Sequence, residues 1–341
     1  MAIRAMVVDD SAFMRKIISD MVSEITGVEV VGIARNGKDA LDLIPKLKPD
    51  IITLDVEMPI LNGIETLKII KKDHDIPVIM LSSNKNPEIT IEALELGALD
   101  FIEKPLDIKE NLEEIKADLE KKIKALFSNK LDQYKQEKLD YNTNNTEIIN
   151  KKVDAVVIGA STGGPKVLVH IISRLPANIR VPIFIVQHMP EGFTKSLAER
   201  MNKESKVRVV EAKDGMPIRA NTVYLAKGGY HMTLKGNLIS LNTEEKLHGV
   251  RPAVDNLFFS ASSQYKAKLL GVILTGMGKD GCAGMHQIKA LGGLNIAQDK
   301  NSCIVFGMPG NAVSKGVVNK ILSIDEISDT INRLVVWWKW S

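Results

Sequence analysis

Acidic and basic residues stand where apolar runs end. Asp9 and Asp10 follow Ile3 to Val8, Asp55 follows Ile51 to Leu54, Ser82 follows Pro77 to Leu81, and Lys104 comes two residues after Asp100 to Ile102. If these runs are strands of one open parallel sheet, their carboxyl ends converge on a single crevice, where such folds bind ligands. Three carboxylates gathered there repel one another unless something positive joins them. A hard divalent cation on oxygen ligands, Mg²⁺ with retained waters, meets that need. A carboxylate beside such an ion can attack phosphorus to give an aspartyl phosphate, with Lys104 and the Ser82 hydroxyl placed to hold the phosphoryl oxygens. Singly, each aspartate reads as an ordinary helix cap. Together the set has no common structural reason.

A second set lies further along. The apolar run Val153 to Ile158 enters Gly159-Ala-Ser-Thr-Gly-Gly-Pro165, a small-residue turn with proline at the start of a helix. Ser161 sits on that turn, where backbone N–H groups and the positive helix end face whatever binds. Alone, a glycine-rich turn of this kind more often cradles phosphate. Here Gly159-x-Ser161 breaks the dinucleotide pattern, and no Gly-Lys-Ser/Thr follows for a P-loop. His188 ends the run Pro182 to Gln187, and Asp280 follows Leu269 to Gly278. All three then lie at the carboxyl edge of one sheet, where a Ser-His-Asp relay for acyl transfer can assemble. In isolation His188 is a satisfied loop histidine and Asp280 a turn residue. His74, His170, His231, His248 and His286 lack comparable placement, and His170 is expected on the helix after Ser161.

The elements that position these groups alternate short β-rich runs with helical patterns, the mark of parallel α/β sheets. The fold class expected is α/β with two doubly wound domains, the second carrying a β-hairpin addition read from the glycine-punctuated stretch Asn221 to Leu241. The length of 341 residues fits two domains. Between Pro105 and Gly159 there is neither glycine nor proline, and the polar tract Asn142-Thr-Asn-Asn-Thr146 marks a linker. The boundaries expected are a first domain over 1–127, ending in an amphipathic helix over 106–126, a flexible linker over 128–150, and a second domain over 151–341. The 45 basic residues against 42 acidic ones lack the basic footprint of a nucleic-acid binder. Two cysteines, Cys282 and Cys303, cannot build a disulfide framework and suit a reducing, cytoplasmic setting. The first nine residues reach acid before an export signal's apolar core forms, so neither export nor membrane insertion is expected. The tail Val335-Val-Trp-Trp-Lys-Trp340 is read as a helix end docked on its own domain rather than a membrane anchor.

Two resemblances follow from these motifs. Val7-Val-Asp-Asp10, Leu54-Asp-Val-Glu-Met-Pro59, Leu81-Ser82 and Glu103-Lys-Pro105 resemble the signatures of a response-regulator receiver domain, a flavodoxin-like fold. That resemblance implies Asp55 as phosphoacceptor, Asp9 and Asp10 with Asp55 as Mg²⁺ ligands, and Ser82 with Phe101 as a switch pair reporting phosphorylation. Gly159-Ala-Ser-Thr-Gly-Gly164, Gln187-His-Met-Pro190, Arg251-Pro-Ala-Val-Asp255 and Thr275-Gly-Met-Gly-Lys-Asp-Gly281 resemble the catalytic domain of the chemotaxis protein-glutamate methylesterase family, a Rossmann-like parallel sheet. It implies Ser161 as nucleophile, His188 as general base, Asp280 as its orienting partner, and backbone N–H groups near Thr162 and Met277 as the oxyanion hole. It further implies methylated chemoreceptor helices as substrate, deamidation of receptor glutamines at the same site, a chemotaxis histidine kinase as phosphodonor, and no cofactor in the esterase domain. The unphosphorylated receiver is expected to hinder access to Ser161. Arg251 is expected either to line the cleft or to form a structural salt bridge. The rival from another class is a receiver fused to a non-catalytic binding or DNA-binding output domain.

Overall fold

The computed structural model describes residues 2–83, 86–104, 112–131 and 151–336, so Pro105, the start of the expected amphipathic helix, most of the expected linker and the tryptophan tail lie outside the described residues. The chain divides into two compact units between residues 128 and 129.

In the first unit, β1 (Ile3–Val8), β2 (Val28–Ala34), β3 (Ile51–Asp55), β4 (Val78–Ser82) and β5 (Asp100–Glu103) pair in parallel in the order β2-β1-β3-β4-β5. Strands β3 and β4 are buried throughout, as apolar runs covered on both faces must be. Helices α1 (Ala12–Ser23), α2 (Gly37–Leu47), α3 (Gly63–Asp73), α4 (Pro87–Glu95) and α5 (Leu112–Leu131) alternate with the strands. Ser11, Asn36 and Asn62 cap the first three, each side chain accepting a backbone N–H from the first turn. The order reverses between β1 and β3, which places the residues following those two strands at the mouth of the crevice.

The second unit is a seven-stranded parallel sheet of order β14-β13-β12-β6-β7-β9-β8. Its centre is β6 (Ala155–Ala160), flanked by β7 (Ile183–Gln187) and β12 (Leu269–Ile273), all fully buried. Strands β8 (Arg208–Glu211) and β9 (Thr222–Leu225) extend one side, β13 (Leu294–Gln298) and β14 (Lys320–Leu322) the other. Helices α6 (Gly164–Ser173), α7 (Phe193–Glu204), α8 (Val254–Tyr265), α9 (Cys282–Ala290), α10 (Met308–Ser314) and α11 (Ile324–Val335) complete it. The chain leaves β6 toward β7 and leaves β12 toward β13, so the switch point lies between β6 and β12.

The stretch Asn221 to Leu241, expected as hairpins, is one only in its second half. β10 (His231–Lys235) and β11 (Leu238–Asn242) pair antiparallel, whereas β9 joins the main sheet between β7 and β8. The sequence Thr-Val-Tyr-Leu of β9 is wholly buried, and Phe184 stacks on Tyr224 at 5.5 Å between ring centroids, a packing that a solvent-facing hairpin would not provide. Among the described residues no helix is long and apolar enough to cross a membrane.

Candidate active site

Ser161 follows β6 directly. Gly159, two residues earlier, must lack a side chain because a Cβ there would meet Val254 Cγ1 at 2.5 Å. Gly163 takes φ +77° at the start of α6, which turns the chain sharply and leaves Ser161 nine-tenths buried at the helix N-terminus. The Ser161 N–H donates to Thr275 O at 3.0 Å. The backbone after β12 presses so closely on Ser161 that a Cβ on Gly276 would lie 2.7 Å from Ser161 Cβ and 2.5 Å from Met308 Sδ. Thr162 and Met277, the expected oxyanion donors, flank this contact on either strand exit. Both are buried.

Ala160 and Gln187 pair across β6 and β7, so Ser161 and His188 are the next residues on adjacent strands. His188 N–H donates to Ala160 O at 3.1 Å, and Gln187 Nε2 donates to Ser161 O at 2.9 Å, tying the two turns together. The His188 ring lies with Nε2 2.8 Å from Asp280 Oδ2. With the ring in this orientation Nε2–H donates to the carboxylate, and the lone pair of Nδ1 is left as the basic site. No hydrogen bond joins Ser161 Oγ to the ring in this structure. Two of the three expected residues are therefore in direct contact, and the third is their neighbour through the strand register.

Asp280 is 2% exposed. Its Oδ1 accepts the N–H of Asp255 and of Gly281 at 2.9 Å each, and its Oδ2 accepts the N–H of Val254 at 2.7 Å as well as His188. Burial pulls its carboxyl upward, but His188 and the helix N–H groups outweigh that and hold it below the usual carboxylate range.

Sequence reasoning passed over His248 and Asp255. Asp255 appears in Arg251-Pro-Ala-Val-Asp255 without a role, yet its backbone N–H clamps Asp280 and its carboxylate binds His248 Nε2 at 3.0 Å. His248 ends no apolar run in the sequence. It reaches the cluster from the loop before α8, for which no periodic signal exists. Arg251 does not form the structural salt bridge that was one of its two expected roles: its Nη1 donates to Thr243 O and Glu244 O at 2.8 and 2.9 Å. His170 stands on α6 as expected, 2.9 Å from Asp325.

In the first unit, Asp9, Asp10 and Asp55 each offer an oxygen within 4.8 Å of the others. Lys104 Nζ bridges Asp9 Oδ2 and Asp55 Oδ2 at 2.7 Å each. An all-oxygen donor set of this kind suits a hard cation. Burial pushes the Asp55 carboxyl up to about 6, against the pull of Lys104 and with Asp9 adding to the rise. Burial alone would lower Lys104, but Asp55 and Asp9 hold it above its ordinary value. Ser82 Oγ shares a 2.5 Å hydrogen bond with Thr90 Oγ1 of α4, a partner unforeseen from the sequence. Phe101 is buried, with Lys122 Nζ 5.8 Å from its ring centroid and donating to its carbonyl at 2.6 Å.

Residues 156–331 match the CheB methylesterase family model and residues 5–116 match the response regulator receiver domain model. The chain belongs to the CheB methylesterase family. A protein-glutamate methylesterase/protein-glutamine glutaminase of Clostridium acetobutylicum is 46% identical over 98% of both chains. Its counterpart in Pyrococcus abyssi is 42% identical over 98% of this chain and 94% of its own. The crystal structure of the Thermotoga maritima CheB methylesterase catalytic domain is 45% identical, with a TM-score of 0.53, and covers 54% of this chain and all of that one. The motifs on which the family resemblance was read are thus those of a family that matches the chain through both of its units.

Two expectations follow from the packing. Gly276→Ala must displace Ser161 or Met308, and calorimetry of the second unit should show a loss of about 1–3 kcal/mol. In the folded chain burial pushes the Asp55 carboxyl from its ordinary 3.8 up to about 6, so the folded state binds the proton more tightly than the unfolded one. Ionising Asp55 therefore costs stability as pH rises from about 4 through 6. Asp55→Asn should raise the stability of the first unit by about 1–2 kcal/mol at pH 7.5, a gain that disappears near pH 4 in calorimetric unfolding.

Proposed function

We propose that this chain hydrolyses glutamate γ-methyl esters on chemoreceptors, and deamidates glutamines at the same site, under control of phosphorylation at Asp55. The observation that carries the reading is the 2.8 Å contact of His188 with a buried Asp280, one strand register from Ser161 at the switch point of the sheet. Family membership and the names of the relatives support the substrate class.

In this reading His188 Nδ1 takes the Ser161 proton as Oγ adds to the ester carbonyl carbon. Asp280 keeps the ring oriented and stabilises the imidazolium that forms. The oxyanion of the tetrahedral intermediate meets the N–H groups of Thr162 and Met277. His188 then gives this proton to the leaving ester oxygen as its bond to carbon breaks, releasing methanol, or to the leaving amide nitrogen when a glutamine is the substrate, releasing ammonia. Water, deprotonated by His188, adds to the acyl carbon, and His188 passes that proton to Ser161 Oγ as its bond to carbon breaks, releasing glutamate. The unit spanning 151–341 is the esterase, 1–127 the receiver and 128–150 the tether.

The receiver takes a phosphoryl group from a chemotaxis histidine kinase. Asp9, Asp10 and Asp55 would hold Mg²⁺, which when bound neutralises charge on the incoming phosphoryl group. Asp55 attacks phosphorus, Lys104 holds the transferred oxygens, and Ser82 must leave Thr90 to reach them. Phe101 completes the switch. The phosphorylated receiver relieves a restraint on the esterase.

Incubating the protein with receptor carrying radiolabelled methyl esters tests the chemistry. Volatile label should be released by the parent and reduced at least about 10³-fold in Ser161→Ala. Equal release from both would remove Ser161 from the mechanism. A chain beginning at Asn150 should release label faster than the unphosphorylated full-length chain. Equal or slower release would contradict restraint by the receiver.

A further inference from the structure

A second buried carboxylate stands beside Asp280. Asp255, the second residue of α8, is 1% exposed, and an oxygen of its carboxylate lies within 4.8 Å of one from Asp280. Two ionised carboxylates this close disfavour each other's charge. Each is met by main-chain donors and by one histidine: Asp280 by His188, and Asp255 by His248 at 3.0 Å and by the Gly284 N–H at 2.7 Å. Each carboxylate oxygen of the pair already accepts an N–H, so the cluster is built to hold charge and direction rather than to ligate an ion. The backbone joins the two groups as well, since the Asp255 N–H donates to Asp280 Oδ1.

We infer that Asp255, held by His248, is a positioning residue: it aims Asp280 at His188, and its negative charge makes His188 a stronger base than Asp280 alone would. The inference rests on His188 acting as the base, as proposed above. The ionisable groups facing Asp255 are Asp280 from the loop after β12, His248 from the loop before α8, and Cys282 at the start of α9. Burial pushes the Cys282 thiol up, and Asp255 adds to that rise. His188 is faced by Asp280. Glu191, three residues on, pairs with Lys227 at 2.8 Å and leaves little net charge there. Burial pushes the Asp255 carboxyl itself upward, with Gly284 and His248 opposing and Asp280 adding, so its ionisation depends on its partners.

Asp255 lies behind Asp280 as seen from His188, and at an effective dielectric near 20 a unit charge within about 10 Å moves a neighbouring pKa by about one unit or more. The test is a proton titration of His188 in the full chain with ¹³Cε1-labelled histidine. The chain has six histidines, and the His188 signal is identified by its loss in His188→Gln. Asp255→Asn keeps the shape and removes the charge. It should lower the His188 midpoint by about one pH unit while the signals of His74 and His170 stay in place. An unmoved or raised midpoint overturns the inference. Should Asp255→Asn fail to fold, His248→Ala gives the same decision. Without its partner the buried Asp255 takes up a proton more readily, so the His188 midpoint should again fall, and an unmoved midpoint overturns the inference. Failure of the catalytic reading is separate, because a Ser161→Ala chain that still hydrolyses receptor esters at the parental rate would sink that reading whatever the titration shows.

Discussion

A carboxylate can stay ionised inside a protein only if donors replace the water it has lost, and Asp280 shows how much structure that demand recruits. Three backbone N–H groups and one imidazole converge on its two oxygens. Two of those N–H groups are the first of α8, so the helix must begin where it does. A third belongs to Gly281, whose φ of +86° turns the chain into α9. The same requirement keeps Gly276 side-chain-free against Ser161, because the loop that delivers Asp280 also passes over the serine. One buried charge thus fixes two helix starts and one ring orientation.

The first unit handles the same problem the other way. Asp9, Asp10 and Asp55 stand at or just past strand ends, while Asp280 comes from the loop after β12; one lysine serves two of the three and Asp10 stays exposed. Asp280 is filled with donors and held below the usual carboxylate range, while burial lifts Asp55 to about 6. A filled carboxylate orients its neighbour. An underfilled one leaves oxygens for a cation and a phosphoryl group, as the proposed chemistry of the receiver requires. The environment, rather than the residue type, divides the two roles.

Much of this was legible in the sequence because strand-end chemistry leaves a local trace: an apolar run, then a reactive residue. The strands of the first sheet and the strand-to-helix turn at Ser161 carry that trace in full. β9 did not, since Thr-Val-Tyr-Leu between glycines has the local character of a hairpin arm, and only its packing beside β7 makes it a parallel strand. Asp255 and Thr90 lie inside helical patterns, and His248 in a loop, so nothing local distinguishes them from surface residues. Their partners, Asp280, Ser82 and Asp255, are 25, 8 and 7 residues away in sequence. Contacts of that kind appear only when the chain is folded, as does the choice of Arg251 for carbonyl oxygens over a carboxylate.

The central claim is that the Asp280–His188 pair activates Ser161. Its most direct measurement is covalent capture of the nucleophile in the full chain with a fluorophosphonate, followed by peptide mass spectrometry and by the rate of labelling in Asp280→Asn. The account requires a single adduct on Ser161, formed at least about 10²-fold more slowly in the variant. An adduct on another residue, or equal labelling rates in the two proteins, would contradict it.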